Sequence, residues 1–246
     1  MLLLGHRGCR GEFTENTLAA FDHAIDCGCD GFELDVRMSS DAVPVIWHDA
    51  RVRGRSIARH TFAELREGCA KTSIHIHQMR ADVGHLGLAR REAIELCELE
   101  EVLARYAKIG WIDIELKARG AEEQVAALLR RYRPARGFIV SSFLKSVLLE
   151  LHRIDPGLPL AFIFDRMPRE KTWRELPIQF VKPAARLVTA ARVRRFHEAG
   201  MKVLTWTVNR PAAMRRLGKA GVDGMIGDDP ALLAASGLRS FEVSNF

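Results

Sequence analysis

The chain has 246 residues, 48% of them hydrophobic and 28% charged, a balance that excludes a disordered segment and allows a sizeable buried core. The net charge of +6, with a pI near 9.3, favours anionic partners without choosing among nucleic acid, membrane and small phosphates. Only 7% of the residues are aromatic and no DNA- or RNA-recognition motif is present, while no apolar run approaches the ~20 residues of a membrane span.

The N-terminal run Met1-Leu2-Leu3-Leu4 stops at Gly5-His6-Arg7, too short for the apolar region of a secretion signal. The five cysteines, Cys9, Cys27, Cys29, Cys69 and Cys97, are odd in number and irregular in spacing, which argues for reduced thiols rather than a disulfide framework. Both features predict a cytoplasmic protein. The arginine groups Arg130, Arg131, Arg133 and Arg192, Arg194, Arg195 fall in helix-like segments and are expected on solvated faces.

In chain order, a first strand is predicted over residues 2–5 and a helix over 16–27, where Leu18, Phe21, Ala24 and Ile25 recur at helical spacing and Gly28 suits the stop. A second strand covers 31–36. Residues 43–47 also read as a strand, yet only residues 38–42 separate the two. A parallel crossover needs a dozen or more residues, so this strand must turn back antiparallel as a hairpin excursion. That turn would return His48-Asp49 to the neighbourhood of Glu33 and Asp35. Residues 51–91 are less regular and predict loops with a short helix near 61–68. A helix over 99–106 leads to a third strand over 111–117. Further strands are predicted at 138–141, 160–164, 179–182, 202–207 and 225–227, with helices at 121–132, 145–154, 190–199 and 212–219 between them. Setting the excursion aside, the strands number eight and alternate with helices, which predicts an α/β fold of the (β/α)8 TIM-barrel type over residues 1–246 as a single domain. An open doubly wound sheet lacks support, because no G-x-G-x-x-G follows the first strand.

Chemistry in such a barrel gathers at the C-terminal strand ends. Here those ends carry His6-Arg7-Gly8, Glu33 and Asp35, His48-Asp49, Glu115 and Lys117, and Trp206 with Asn209. Glu33 and Asp35 are two apart, so both point to one side of their strand and repel unless a cation or buried bases neutralise them. Three carboxylates without thiolate ligands suit a hard cation, Mg2+ or Ca2+. One such pair alone is commonly a structural ion network, and one strand-end histidine is commonly a structural residue. The combination of two histidines, a carboxylate set, Arg7 and Lys117 favours phosphoryl chemistry, which needs proton transfer and positive charge on the phosphate oxygens. His75 and His77 alternate without a local carboxylate cluster and are weak metal candidates. Asp223 and Asp228 lie near the last strand, with Asp223 read as a turn residue.

At these residues the sequence resembles the glycerophosphodiester phosphodiesterase family. The matching stretches are His6-Arg7-Gly8, Glu15-Asn16-Thr17, Glu33-Leu34-Asp35-Val36 and Pro44-Val45-Ile46-Trp47-His48-Asp49. Ile114-Glu115-Leu116-Lys117, Ser141-Ser142-Phe143, Trp206-Thr207-Val208-Asn209 and Gly221-Val222-Asp223-Gly224 follow in family order. The resemblance implies the barrel with its excursion, one divalent cation on Glu33, Asp35 and Glu115, and His6 and His48 as the acid–base pair. It implies Arg7 and Lys117 as phosphate contacts, Phe143 and Trp206 as walls near the glycerol or alcohol group, and Glu15 and Asn16 as site-shaping residues. The expected substrate is a small glycerophosphodiester, cleaved to glycerol 3-phosphate and an alcohol, with no nucleic-acid partner and no stable membrane anchor. Lysophospholipase D-type cleavage of an acylated diester and a non-catalytic phosphate-binding barrel are the alternatives. Thr14, Ala42 and Gly227 depart from the usual Pro, Gly and Thr, and residues between Asp49 and Glu98 match poorly.

Overall fold

The computed structural model of the protein describes residues 1–70 and 94–238. His75 and His77 lie outside the described residues, as does much of the poorly matching segment. Within them, the strands are β1 (Leu2–Gly5), β2 (Gly31–Met38), β3 (Pro44–Ile46), β4 (Arg51–Val52), β5 (Arg55–Ser56), β6 (Trp111–Leu116), β7 (Phe138–Ser142), β8 (Leu160–Phe164), β9 (Phe180–Pro183), β10 (Lys202–Thr205) and β11 (Gly224–Gly227). The helices are α1 (Leu18–Asp26), α2 (Phe62–Ala70), α3 (Leu99–Tyr106), α4 (Glu122–Tyr132), α5 (Lys145–Ile154), α6 (Glu170–Arg174), α7 (Ala190–Glu198), α8 (Pro211–Ala220) and α9 (Pro230–Ala234).

Parallel pairings run β1-β11-β10-β9-β8-β7-β6-β2, and β2 pairs with β1, so eight strands close into a barrel. The alternation of side chains along each strand divides the interior from the helix layer. On β2, Phe32, Leu34 and Val36 face outward into the main core, where Phe32 packs against Phe21 of α1 and Tyr106 of α3. On β6, Ile112, Ile114 and Leu116 do the same. The inward side is apolar at the floor, where Leu2, Leu4, Trp111, Ile139, Phe180 and Leu204 pack together. Above that floor it becomes charged.

The excursion folds as its loop length requires. β3 pairs antiparallel with β2, with Val36 opposite Ile46 and Met38 opposite Pro44. Ser39 closes the turn: its N–H donates to Val43 O at 3.0 Å, and its hydroxyl accepts from Val43 N at 2.9 Å. Ala42 takes φ 60°, a left-handed conformation that costs an L-residue roughly 1–2 kcal/mol and a glycine nothing comparable. The strand is one residue shorter at each end than the sequence predicts, although Trp47 still donates its N–H in register to Asp35 O at 2.9 Å. β10 likewise stops at Thr205, although Trp206 keeps the register as an isolated parallel bridge to Ala184 and accepts from Ala185 N at 2.7 Å.

Elements absent from the sequence reading are short. The β4–β5 hairpin turns at Arg53-Gly54, both with positive φ. α6 is a single turn tied by Glu170 to Arg174 and Arg195. α9 carries a start signal of Asp229 capping Leu232 N and Pro230 in its first turn. Most of the singled-out arginines are exposed; Arg192 instead donates to Leu187 O at 2.5 Å and is half-buried. No helix among the described residues is long and apolar enough to cross a membrane.

Inside the barrel, Lys182 of β9 is 2% exposed and donates to Asp113 Oδ2 at 2.5 Å and to Ser141 Oγ at 3.0 Å. Ser141 Oγ in turn donates to Asp113 Oδ1 at 2.7 Å. Removing one partner of such a buried pair strands the other charge. Lys182→Met is therefore expected to lower stability by about 3–5 kcal/mol, measured as the shift in the urea unfolding midpoint.

Candidate active site

The site begins where β1 ends. Gly5 leaves no room for a side chain, since a Cβ there would lie 1.9 Å from Gly8 O. The chain curls at once: Gly8 N donates to Gly5 O at 3.2 Å and Arg7 adopts φ 52°. His6, two residues beyond inward-facing Leu4, follows the same alternation into the barrel mouth. Arg7 turns its backbone N–H onto Glu33 Oε2 at 3.0 Å and its guanidinium onto Asp35 and Glu15, with Nε–Oδ2 at 2.9 Å and Nη1–Oε1 at 2.6 Å. Glu15 also pairs with Arg10 Nε at 3.0 Å. Asn16, buried at φ 60°, clamps Asp35 from both ends: its Nδ2 donates to Oδ2 at 2.9 Å, and its Oδ1 accepts from Asp35 N at 3.2 Å.

β2 and β6 pair with Glu33 opposite Asp113 and Asp35 opposite Glu115. All four carboxylates are buried. Lys182 serves Asp113, and Lys117 Nζ reaches Glu115 Oε1 at 2.5 Å and Asp35 Oδ1 at 3.5 Å. Burial pushes the Glu33 carboxyl well above its ordinary range, and the neighbouring Asp35 charge pushes it further. Burial acts the same way on Asp35, but Arg7, Lys117 and the Asn16 amide outweigh it and leave that carboxyl below its ordinary range. Lys182 shows the reverse balance: burial lowers it, yet Asp113 and Glu33 more than compensate and keep the ammonium charged.

Glu33, Asp35 and Glu115 each offer an oxygen within 4.8 Å of the others. Asp35 Oδ1 is buried and accepts no hydrogen bond among the described residues. An all-oxygen set, with one buried carboxylate oxygen that has the Lys117 ion pair but no hydrogen bond, fits a hard divalent cation. The three residues named from sequence thus fit that ion's chemistry.

An open cleft of about 460 Å³ covers this cluster and is lined by His6, Arg7, Glu33, His48, Glu115 and Lys117. His48 arrives from the excursion, held by its carbonyl accepting from Arg37 Nε at 2.7 Å. Its Nδ1 lies 2.8 Å from Asp49 Oδ1. His6 Nε2 lies 3.9 Å from Glu33 Oε2, and its Nδ1 lies 2.6 Å from Asp228 Oδ1. Phe143 and Trp206 form one side, edge to face at 5.6 Å, with Lys117 Nζ 5.7 Å from the Phe143 ring centre. Trp206 is fixed by donating Nε1–H to Lys182 O at 3.0 Å. Glu15 and Asn16 stand behind the cleft, on Arg7 and Asp35. Sequence reasoning missed Asp113 and Lys182, although Asp113 lies two residues before Glu115 and so shares its face. It noted Asp228 without a partner. Asp223, read as a turn residue, accepts from Val203 N at 2.7 Å and approaches His197 Nε2 at 2.8 Å, tying the turn before β11.

The glycerophosphoryl diester phosphodiesterase family model matches residues 6–232. A glycerophosphodiester phosphodiesterase of Caldanaerobacter subterraneus subsp. tengcongensis is 30% identical over 242 residues, covering 94% of this chain and 96% of the relative. One from Bacillus altitudinis is 28% identical over 244 residues, covering 93% and 94%. The crystal structure of a glycerophosphodiester phosphodiesterase from Thermotoga maritima superposes with a TM-score of 0.76 at 26% identity, covering 96% of this chain and 97% of that one. An Oleispira antarctica phosphodiesterase, solved with the product sn-glycerol-3-phosphate, shares the fold with a TM-score of 0.78 at 23% identity, covering 96% of each chain. With the match running from the strand-end histidine to the last described helix, the chain belongs to the glycerophosphoryl diester phosphodiesterase family.

Proposed function

We propose that residues 1–246 form a single catalytic domain that hydrolyses glycerophosphodiesters to glycerol 3-phosphate and an alcohol, with His6 and His48 as the acid–base pair. Glu33, Asp35 and Glu115 are the residues that would hold one divalent cation, Mg2+ or Ca2+. The broader statement rests on family: the chain is a phosphoric diester hydrolase of the glycerophosphodiester phosphodiesterase kind. The observation that carries the finer reading is the convergence of two histidines from separate chain segments on one cleft with the carboxylate cluster and Lys117.

A bound cation would supply positive charge to a phosphate oxygen. The protein's own residues do the rest. Arg7 and Lys117 bring fixed positive charge to the phosphate oxygens, each already held by carboxylates and so costing little reorganisation. One histidine removes the proton of a glycerol hydroxyl as its oxygen bonds to phosphorus. The other donates a proton to the departing alcohol as the phosphorus–oxygen bond breaks. The resulting cyclic phosphate is opened by water, with the two histidines exchanging roles. Phe143 and Trp206 wall the glycerol or alcohol side, and Glu15 and Asn16 hold Arg7 and Asp35 in register for this arrangement. Phe143 is 38% exposed and Leu144 beside it 40%, an apolar rim that favours testing an acylated diester as the second substrate class.

His6→Ala and His48→Ala are each expected to lower turnover of glycerophosphocholine by about 10²-fold or more. Near-normal turnover by either variant defeats its assignment. Product analysis with glycerophosphocholine, glycerophosphoethanolamine and a lysophospholipid, with and without a chelator, tests the rest. Glycerol 3-phosphate should form from the water-soluble diesters, stop with chelator and return with added Mg2+ or Ca2+. Faster cleavage of the lysophospholipid favours the acylated substrate, and full activity in chelator removes the cation.

A further inference from the structure

We infer that Asp228, locked in place by Asn209, sets the tautomer of His6, so that the neutral imidazole carries its proton on Nδ1 and presents a bare Nε2 to the cleft. The inference rests on the proposal above that His6 transfers protons. Asp228 is then a positioning residue, acting through His6.

The assignment follows from a chain of donors that has one direction. The backbone N–H of Asp228 can only donate, and it does so to Asn209 Oδ1 at 2.9 Å. That bond fixes which end of the Asn209 amide is oxygen and removes the ambiguity that amide ends otherwise carry. The Asn209 Nδ2 end must therefore face Asp228, and it donates to Oδ2. The remaining oxygen, Oδ1, lies 2.6 Å from His6 Nδ1. An ionised carboxylate has only lone pairs to offer, so Nδ1 must be the protonated nitrogen. Burial alone pushes the Asp228 carboxyl up, but the hydrogen bonds from His6 and Asn209 and the charges of His6 and Arg10 outweigh it and keep it below its ordinary range. The far ring nitrogen, Nε2, sits on the side of Glu33 and the cleft.

The backbone around this group leaves little slack. His6 N donates to Gly227 O at 2.8 Å, and Arg10 N donates to Asp228 O at 2.9 Å. The segment after β10 that carries Asn209 runs so close that a Cβ on Gly227 would lie 2.6 Å from Val208 O. His48 has no equivalent among the described residues. Its Nδ1 meets Asp49, the next residue in sequence, whose side chain is 74% exposed. A carboxylate held behind a histidine fixes tautomer and ring orientation in triad enzymes, and exchanging that carboxylate for its amide reverses the tautomer while leaving the shape intact.

The test exploits that reversal. In Asp228→Asn, the Asn209 NH2 still needs an acceptor, so the introduced amide turns its oxygen to Asn209 and its NH2 to His6, driving the His6 proton to Nε2. Turnover of glycerophosphocholine should fall by about 10²-fold or more with KM within about twofold. Adding Asn209→Asp should restore the original direction. The carboxylate then at position 209 accepts both from the backbone N–H of position 228 and from the amide NH2 introduced there. That amide's oxygen returns to His6, and at least a tenfold recovery of turnover is expected. The nitrogen-15 shifts of His6 at alkaline pH read the tautomer directly, with Nδ1–H expected in the natural protein and in the double variant and Nε2–H in Asp228→Asn. An Nε2–H tautomer in the natural protein overturns the inference, and that measurement needs no variant to fold. So does a folded double variant that fails to regain Nδ1–H. If the tautomers switch as described while turnover stays level, the lock stands and His6 as a proton-transfer group fails.

Discussion

The barrel is organised around a repulsion. Strand pairing sets Glu33 beside Asp113 and Asp35 beside Glu115, so four carboxylates form a two-by-two array on the inner wall. In-register neighbours on adjacent strands stand about 5 Å apart, where two like charges repel by roughly 3 kcal/mol at the effective dielectric of a protein site. Much of the interior chemistry can be traced to meeting that cost. Lys182 crosses the barrel to Asp113, Lys117 folds back onto Glu115 and Asp35, and Arg7 takes a left-handed backbone conformation with its guanidinium on Asp35. Three cations thus face four acids. The imbalance falls on Glu33, whose carboxyl is pushed well up by burial and by Asp35. A divalent ion on Glu33, Asp35 and Glu115 would offset that excess negative charge and leave positive charge to spare for an anionic substrate, without disturbing the Asp113–Lys182 pair.

The same array connects local sequence to the position of each proposed catalytic group. β2 carries two of the acids and also continues into the excursion that brings His48 back. Trp47 N bonds to Asp35 O, so the acid and the segment bearing the histidine share one backbone contact. Asn16, the residue that opens the turn into α1, is clamped to Asp35, and Glu15 before it holds Arg7. Displacing Asp35 would therefore disturb the anchors of Arg7, Asn16 and His48 together.

Most of the barrel is legible in the sequence because its signals are local. Apolar runs bounded by helical periodicity give the eight strands, and the five residues between β2 and β3 are too few for a crossover. Glu33, Asp35 and Glu115 are legible because a spacing of two puts acids on one face. Asp113 and Lys182 are not legible as a pair, although Asp113 obeys the same spacing. What makes them a pair is the inward direction of two strands, β6 and β9, that are distant in sequence, and a single lysine within Phe180–Pro183 carries no local mark of that. Asp228 falls in the same class. It is separated by 222 positions from His6, and only barrel closure, β11 against β1, joins them. The short elements α6 and α9 lack the length that periodicity needs, even though Asp229-Pro230 is a sound helix start.

On the function proposed above, the carboxylate array would hold one divalent ion through Glu33, Asp35 and Glu115. Calorimetric titration of the natural protein and of Glu115→Gln with Mg2+ and with Ca2+, in the presence of glycerol 3-phosphate, tests it most directly. Saturable binding of one ion per chain by the natural protein, lost or weakened at least tenfold in the variant, is the expected result. No saturable binding of either ion, or equal binding by both proteins, would contradict it.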